Sequence, residues 1–336
     1  MHKHTLTFFI SILLLSSVQA MNSKKYQSSI KESIQNNNSQ LFFDRVKKDF
    51  ISSCAKVPEK LSPEQIAKLN KYNRQYKFAK LLREHQLSQH REFLLWLVDN
   101  KNYWQLFIDN IKKEDRVSQV INILSTLQKL NKETKSFKTA KADFFPLALA
   151  IAVVWDSPRP DMHYQMGRKR LKNMPTPTQL FTYFTKLYSS SKAKVRYRKI
   201  AINDLMYVVN PPVPISELEW ALKITSGSSK GWGSKYASIE YDTPRLAADE
   251  MSWPHYNGYY SLENIKEHGG ICVDQAYFAV MTGRANGIPT MYFRGRGKRG
   301  NHAWMGFYRK QNEWITDVGQ YQGDNYAIGH TKNPQT

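Results

Sequence analysis

The chain has 336 residues, of which 41% are hydrophobic and 13% aromatic. This excludes an intrinsically disordered chain and leaves room for two lobes, because single cores become uncommon beyond about 250–300 residues. Its 49 basic against 28 acidic residues give a formal charge of +21, which favours polyanionic partners and says nothing about fold.

The amino terminus speaks to compartment. Met1-His2-Lys3-His4 is a short basic head, residues 6–15 are mostly apolar, and Ser16-Ser17-Val18-Gln19-Ala20 ends in the small-x-small pattern that a signal peptidase reads. The apolar run falls short of the ~20 residues a bilayer-spanning helix needs. The pattern predicts a signal peptide over residues 1–20, cleavage near Ala20, a periplasmic or extracellular protein, and no transmembrane segment in the mature chain; an uncleaved anchor is the alternative. No cysteine follows the cleavage site, so lipidation is not expected. Export turns the basic excess toward an anionic cell-envelope polymer and away from nucleic acid. After export Cys54 and Cys272 remain, either as a disulfide or as one reactive and one buried thiol, and the context of Cys272 favours a free thiol.

Residues 21–40, rich in Ser, Asn, Gln and Lys, predict a flexible lead-in. A helical domain over 41–157 follows. Ser62-Pro63-Glu64-Gln65 is a helix start, with Ser as cap, Pro at the first helical position and Gln65 three residues on. Leu94, Leu97 and Val98, then Trp104, Phe107, Ile108 and Ile111, then Val117, Val120, Ile121, Leu124 and Leu127 recur at helical spacing. They predict four or five packed amphipathic helices without chemistry. The stripe of Trp96, Tyr103, Trp104 and Phe107 is expected in the core. His85 and His90, five apart on a helix, do not share a face and give no metal site. Residues 144–154 are apolar nearly all round and predict a buried helix. Pro158 and Pro160 then mark the expected domain boundary.

A second domain over 161–336 is expected to hold helices near 177–188 and 198–208, and one capped at Ser216. A mobile Ser/Gly/Lys loop over 225–233 and an aromatic wall or lid over 256–260 follow. The chemistry concentrates in residues 269–317. Gly269-Gly270-Ile271-Cys272-Val273-Asp274-Gln275-Ala276 predicts a tight turn into a buried helix, with Cys272 in the first turn. Unpaired amides and the positive helix end there lower a thiol pKa. Residues 288–294, 302–308 and 314–317 predict strands, with Gly295 to Gly300 as a basic loop and a hairpin turning near 309–312. That hairpin puts His302 opposite Asp317 or within one or two places of it, where a carboxylate can fix the imidazole tautomer. A nucleophile, a base and an orienting acid arrive in order. A zinc site from the same three residues lacks any supporting ligand spacing, so no metal is expected.

The order Gly-Gly-Ile-Cys-Val-Asp-Gln-Ala, Gly287-Ile288-Pro289, His302-Ala303-Trp304 and Trp314-x-x-Asp317 resembles the core of the transglutaminase-like superfamily of papain-fold cysteine enzymes. The resemblance implies an α+β fold, with an all-helical amino-terminal region followed by a core in which a Cys-bearing helix packs on an antiparallel sheet. It implies Cys272 as nucleophile, His302 as base then acid, Asp317 as orienting carboxylate, a thioester intermediate and no cofactor. Trp253, Tyr256, Tyr260 and Trp232 are candidates for the oxyanion-stabilising side chain, with the Cys272 amide as second donor. The chain ends 19 residues after Asp317, where the sheet of this superfamily usually continues, so an incomplete sheet edge or a truncated chain is expected. Hydrolysis of a protein or peptide amide is the favoured reaction, cross-linking transamidation the alternative, and a non-catalytic envelope binding module the competing class. The Arg294, Arg296, Lys298, Arg299 stretch suits an acidic substrate or is a solvated mobile loop.

Overall fold

The computed structural model describes residues 23–55, 60–85, 87–111, 116–134, 137–138, 142–157, 165, 173–254, 257–321, 323 and 328–331. The expected signal peptide, the Pro158 to Pro160 break, Tyr256 and the side chain of His85 lie outside the described residues. Two compact units meet in sequence between Ile121 and Asn122, upstream of the boundary that the prolines suggest.

The first unit is helical, with helices Ser23–Gln35, Ser39–Cys54, Pro63–His85, Arg91–Asp99 and Lys101–Asn110, and the start of Val117–Thr134. Where composition predicts a flexible lead-in, Ser23–Gln35 is a helix that buries Tyr26, Ile30 and Ile34. An i, i+4, i+8 stripe needs only three apolar residues, and the polar excess around it hides them. At Ser62 the reciprocal cap forms, Gln65 N–H donating to Ser62 Oγ and Ser62 N–H to Gln65 Oε1. Phe93, Leu94, Leu97 and Val98 are buried on one helix, and Tyr103, Trp104, Phe107 and Ile108 on the next. Asn100 separates the two, and its side chain donates to the carbonyl of Trp96.

In the second unit helix Phe145–Val154 is buried along its length, as its uniform apolarity requires. Helix Pro177–Ser189 begins with a capping box between Thr176 and Gln179. Between them and the sheet, local signals are less faithful. Over 198–208 there is a 3-10 turn, Tyr197–Lys199, and a single helical turn, Ile202–Leu205, instead of one helix. Helix Ile215–Ile224 starts after Pro214, which places Ser216 inside the helix and not at its cap. The expected mobile loop contains the 3-10 helix Ser229–Lys235, pinned by Trp232, which is fully buried and donates Nε1–H to the carbonyl of Ala279.

Among the described residues the strands form one antiparallel sheet in the order β3-β2-β1-β4: β1 Thr290–Gly297, β2 Gly300–Lys310, β3 Glu313–Val318 and β4 Ile328–Thr331. The basic stretch is no loop. β1 and β2 pair out to Gly297 opposite Gly300, so Lys298 and Arg299 are a two-residue hairpin turn. The β2–β3 hairpin turns at Gln311 and Asn312 as expected. β4 pairs with the free edge of β1; its sequence, with Gly329 and His330, lacks the apolar alternation that announces a strand. Helices Leu262–His268 and Cys272–Ala285 follow one another, and the second packs across β1 and β2. The fold is α+β.

Candidate active site

The approach to the helix that carries Cys272 is built from backbone contacts. Gly269 has φ 74°, and a Cβ there would stand 2.7 Å from the carbonyl oxygen of Glu240. With no side chain in the way, Gly270 N–H donates to Glu240 O at 2.9 Å and Asp242 N–H donates to Gly270 O at 3.1 Å, a parallel bridge that sets Tyr241 beside the turn. Ile271, at the N-cap, has no polar side chain. Asp274 reaches back in its place and accepts from Ile271 N–H at 2.9 Å. The same carboxylate receives Arg245 Nη1 at 2.7 Å and the Tyr260 hydroxyl at 3.1 Å. Arg245 also donates to the carbonyls of Glu250 and Met251 and to Gln165 Oε1. With side-chain exposures of 2% and 0%, the Arg245–Asp274 pair is a fixed anchor under the helix start. Burial pushes the Asp274 carboxyl above its ordinary value, against the pull of Arg245, the Ile271 amide and Tyr260.

Cys272 is the first residue of its helix and 8% exposed. Its thiol meets the backbone N–H of Ala303 on β2 and that of Val273. Burial pushes the thiol up from its ordinary pKa, the Ala303 and Val273 amides pull it down, and the Asp274 charge adds to the rise. The net direction is upward, opposite to the expectation from the helix end, because desolvation outweighs the amides. The resting group is therefore a thiol. Both Cys54 and Cys272 are free of disulfide, Cys54 exposed and Cys272 buried.

His302, 5% exposed, precedes Ala303 on β2. Tyr236 donates its hydroxyl to the Ala303 carbonyl at 2.9 Å, which fixes the strand at the point where its amide meets the thiol. His302 Nε2 lies 2.6 Å from the carbonyl oxygen of Gly319. A carbonyl only accepts, so the proton sits on Nε2 and the neutral ring keeps Nδ1 as its basic nitrogen. The imidazole stacks on Tyr321, with centroids 4.2 Å apart.

Cys272 and the strand segment of His302 are thus brought together, whereas Asp317 stands apart. Met305 pairs with Val318 and Phe307 with Ile315, with an irregularity between the two pairs. A second irregularity nearer the turn cancels it, so the hairpin turning at Gln311 and Asn312 sets Asp317 beside Gly306 and brings the chain past His302 at Tyr321, whose ring stacks on the imidazole. Asp317 is exposed, and among the described residues its carboxylate makes no hydrogen bond or ion pair.

The candidate oxyanion side chains are engaged elsewhere: Trp232 with Ala279, Trp253 with the Gly258 carbonyl at 3.1 Å, and Tyr260 with Asp274. The group that comes close to the Cys272 backbone N–H is the hydroxyl of Tyr241, which also neighbours the Tyr321 hydroxyl. Nothing local to Tyr241 announces this, since its position follows from the bridge to Gly270 and not from a motif. No group of three or more His, Cys, Asp or Glu side chains among the described residues is arranged to hold a metal ion. No helix among them is long and apolar enough to cross a membrane.

A helix opening on cysteine is packed on an antiparallel strand that carries histidine. Residues 221–316 match the family model described as the transglutaminase-like superfamily. The match spans Cys272 and His302 and stops one residue short of Asp317. No curated protein and no solved structure matches the chain.

Proposed function

We propose that the protein is an exported cysteine-dependent enzyme that transfers the acyl group of a protein or peptide amide to water through a thioester on Cys272. The observation that carries this reading is the seat of the Cys272 thiol at the Ala303 amide, one residue from His302 on a strand whose imidazole has its Nε2 proton held by Gly319. Because burial keeps the thiol protonated, proton removal belongs to the attack itself. His302 Nδ1 takes the proton as sulfur bonds to the carbonyl carbon. The oxyanion so formed displaces the Tyr241 hydroxyl from the Cys272 amide and receives both as donors. On collapse the C–N bond breaks and His302 returns the proton to the leaving amine. Water, deprotonated by the same nitrogen, then opens the thioester, releasing a carboxylic acid and restoring the thiol. Gly319 orients the ring; an orienting role for Asp317 requires its exposed side chain to turn inward. Export rests on residues 1–20, and the charge of +21 supports an anionic envelope polymer as surroundings.

The test is incubation with a glutamine-containing protein and a fluorescent primary amine, followed by mass spectrometry. Cleavage or deamidation without label, lost in Cys272→Ala, is the expected result; label that Cys272→Ala abolishes assigns a cross-linking transamidase instead. No product of either kind would leave a non-catalytic module. His302→Ala is expected to reduce turnover by at least ~100-fold, whereas Asp317→Asn costs less than ~10-fold because its exposed carboxylate makes no hydrogen bond or ion pair among the described residues.

A further inference from the structure

We infer that the protein carries a second ligand site, remote from the thiol, that takes the phosphate monoester of an apolar alcohol. The site is a cleft of about 540 Å³, a size typical of small-molecule pockets. Two helices and the chain after the first of them form its walls. Helix Pro177–Ser189 turns Tyr183, Lys186 and Leu187 into it, and helix Ile215–Ile224 turns Glu219, Leu222 and Lys223, each set spaced i, i+3, i+4 on one helix face. Ser190, Lys192 and Lys194 close the third side. That side is held by its main chain: Lys192 N–H donates to Ser190 Oγ at 3.2 Å, and Lys194 N–H to the carbonyl of Asn286 at 3.0 Å.

The neutral polar groups of the cleft are engaged within the protein. The Tyr183 hydroxyl lies 2.8 Å from the Ala285 carbonyl and 3.2 Å from that of Leu218, and Ser190 Oγ donates to the Leu187 carbonyl at 2.7 Å. What remains of the floor is apolar: the Tyr183 ring, Leu187 and Leu222. Around it the ammonium groups of Lys186, Lys192, Lys194 and Lys223 stand against the one carboxylate of Glu219, and among the described residues none of the five is in an ion pair. Four charges against one leave a net positive cleft that a doubly negative head on an apolar body complements. Lysine offers a point charge with rotatable donors and no planar fork, which suits the tetrahedral oxygens of a phosphate. The cleft stands at the far end of the helix that Cys272 opens, since Tyr183 and Lys194 bond to the carbonyls of Ala285 and Asn286. The 14 residues of that helix span about 21 Å, so the occupant is not the amide that the thiol attacks.

The inference is tested on the full-length protein at pH 8 with dodecyl phosphate held below its micelle concentration. Inorganic phosphate and dodecyl maltoside serve as head-only and tail-only probes. Lysine acetylation by an N-hydroxysuccinimide ester is read peptide by peptide by mass spectrometry. Dodecyl phosphate is expected to slow acetylation of Lys186, Lys192, Lys194 and Lys223 saturably, by at least about fivefold, because an ammonium held by phosphate is not free to deprotonate and react. The exposed Lys129 and Lys310 are expected to react at unchanged rates. With Lys186 and Lys192 as reporters, the half-saturation concentration should rise at least about tenfold in Lys194→Gln/Lys223→Gln and in Leu222→Asp, and should fall in Glu219→Gln. Glu219→Gln changes one exposed charge and keeps the test readable where Leu222→Asp fails to fold. Slowing shared equally by Lys129 and Lys310 is general coating of a basic surface and overturns the inference. Equal protection by inorganic phosphate or by dodecyl maltoside overturns it too, as does a half-saturation concentration that the lysine and glutamate variants leave unchanged.

Discussion

In the first unit Arg74 and Asp109 form their ion pair at the surface, one-third or more exposed, as do Lys31 and Asp99; in the second, Arg245 and Asp274 form theirs in the interior. The contrast extends to other polar groups. Among the described residues the first unit buries Ser33, Gln75 and His90, while the second buries a whole set along the Cys272 helix and its neighbours, including Gln275, Thr282, Arg284, Asn286, Thr290 and His302. Packing a helical bundle needs only apolar stripes. Seating a thiol against a strand amide and an imidazole against a main-chain carbonyl needs hydrogen bonds inside the core, where each unpaired group is costly. The polar interior therefore marks where the molecule keeps its geometry.

The largest effect should come from breaking that interior. Arg245→Met leaves Asp274 buried without its counter-charge and is expected to cost about 3–5 kcal/mol, read as a lowered urea midpoint together with faster hydrogen exchange at the amides of the Cys272 helix. Next is Gly283→Ala. Its Cβ would lie 2.5 Å from Thr290 Cγ2 and 2.9 Å from Trp232 Nε1, an overpacking expected to cost about 1–3 kcal/mol. A pH series sharpens the comparison further. Burial pushes Glu217, which accepts from Leu262 N–H, up to about 7, so between its unfolded value and that point the folded form binds the extra proton. Stability from this group is full at low pH and is lost as pH rises through about 7, with a slope of at most about 1.4 kcal/mol per pH unit. Glu217→Gln should flatten that slope; an unchanged profile would break the assignment. The smallest effect belongs to the first unit, where Arg74→Ala should change stability by less than about 1 kcal/mol. If Arg74→Ala and Arg245→Met cost the same, the contrast between the units fails.

Elements governed by local chemistry were legible in the sequence. The caps at Ser62 and the uniformly apolar Phe145–Val154 emerge where composition puts them, and the Cys272 helix and three of the strands appear within a few residues of their expected ends. The segment that matches the transglutaminase-like family model was legible for the same reason, since its motif is contiguous. What escaped depends on distant partners. Trp232 belongs to the core because Ala279, 47 residues on, takes its indole proton. Tyr241 reaches the Cys272 amide through a bridge to Gly270. The hairpin arithmetic that brought His302 within reach of Asp317 centred the turn a residue too early: with Gln311 and Asn312 at the turn, Asp317 falls beside Gly306 and His302 comes level with Tyr321. The helix-end argument for a low thiol pKa failed because burial is invisible to a local motif.

The grip of Gly319 on His302 has a consequence for how this site can vary. Its acceptor is main chain, so it carries no charge to titrate and no side chain whose replacement could delete it. The turn that delivers it is nevertheless exacting: Gly319 has φ 93°, and a Cβ there would stand 2.4 Å from the ring of Tyr236, the same ring whose hydroxyl steadies Ala303. A methyl group at position 319 would thus disturb the histidine and the strand that meets the thiol together. Heritable control over the imidazole passes from an acidic residue to the smallest one.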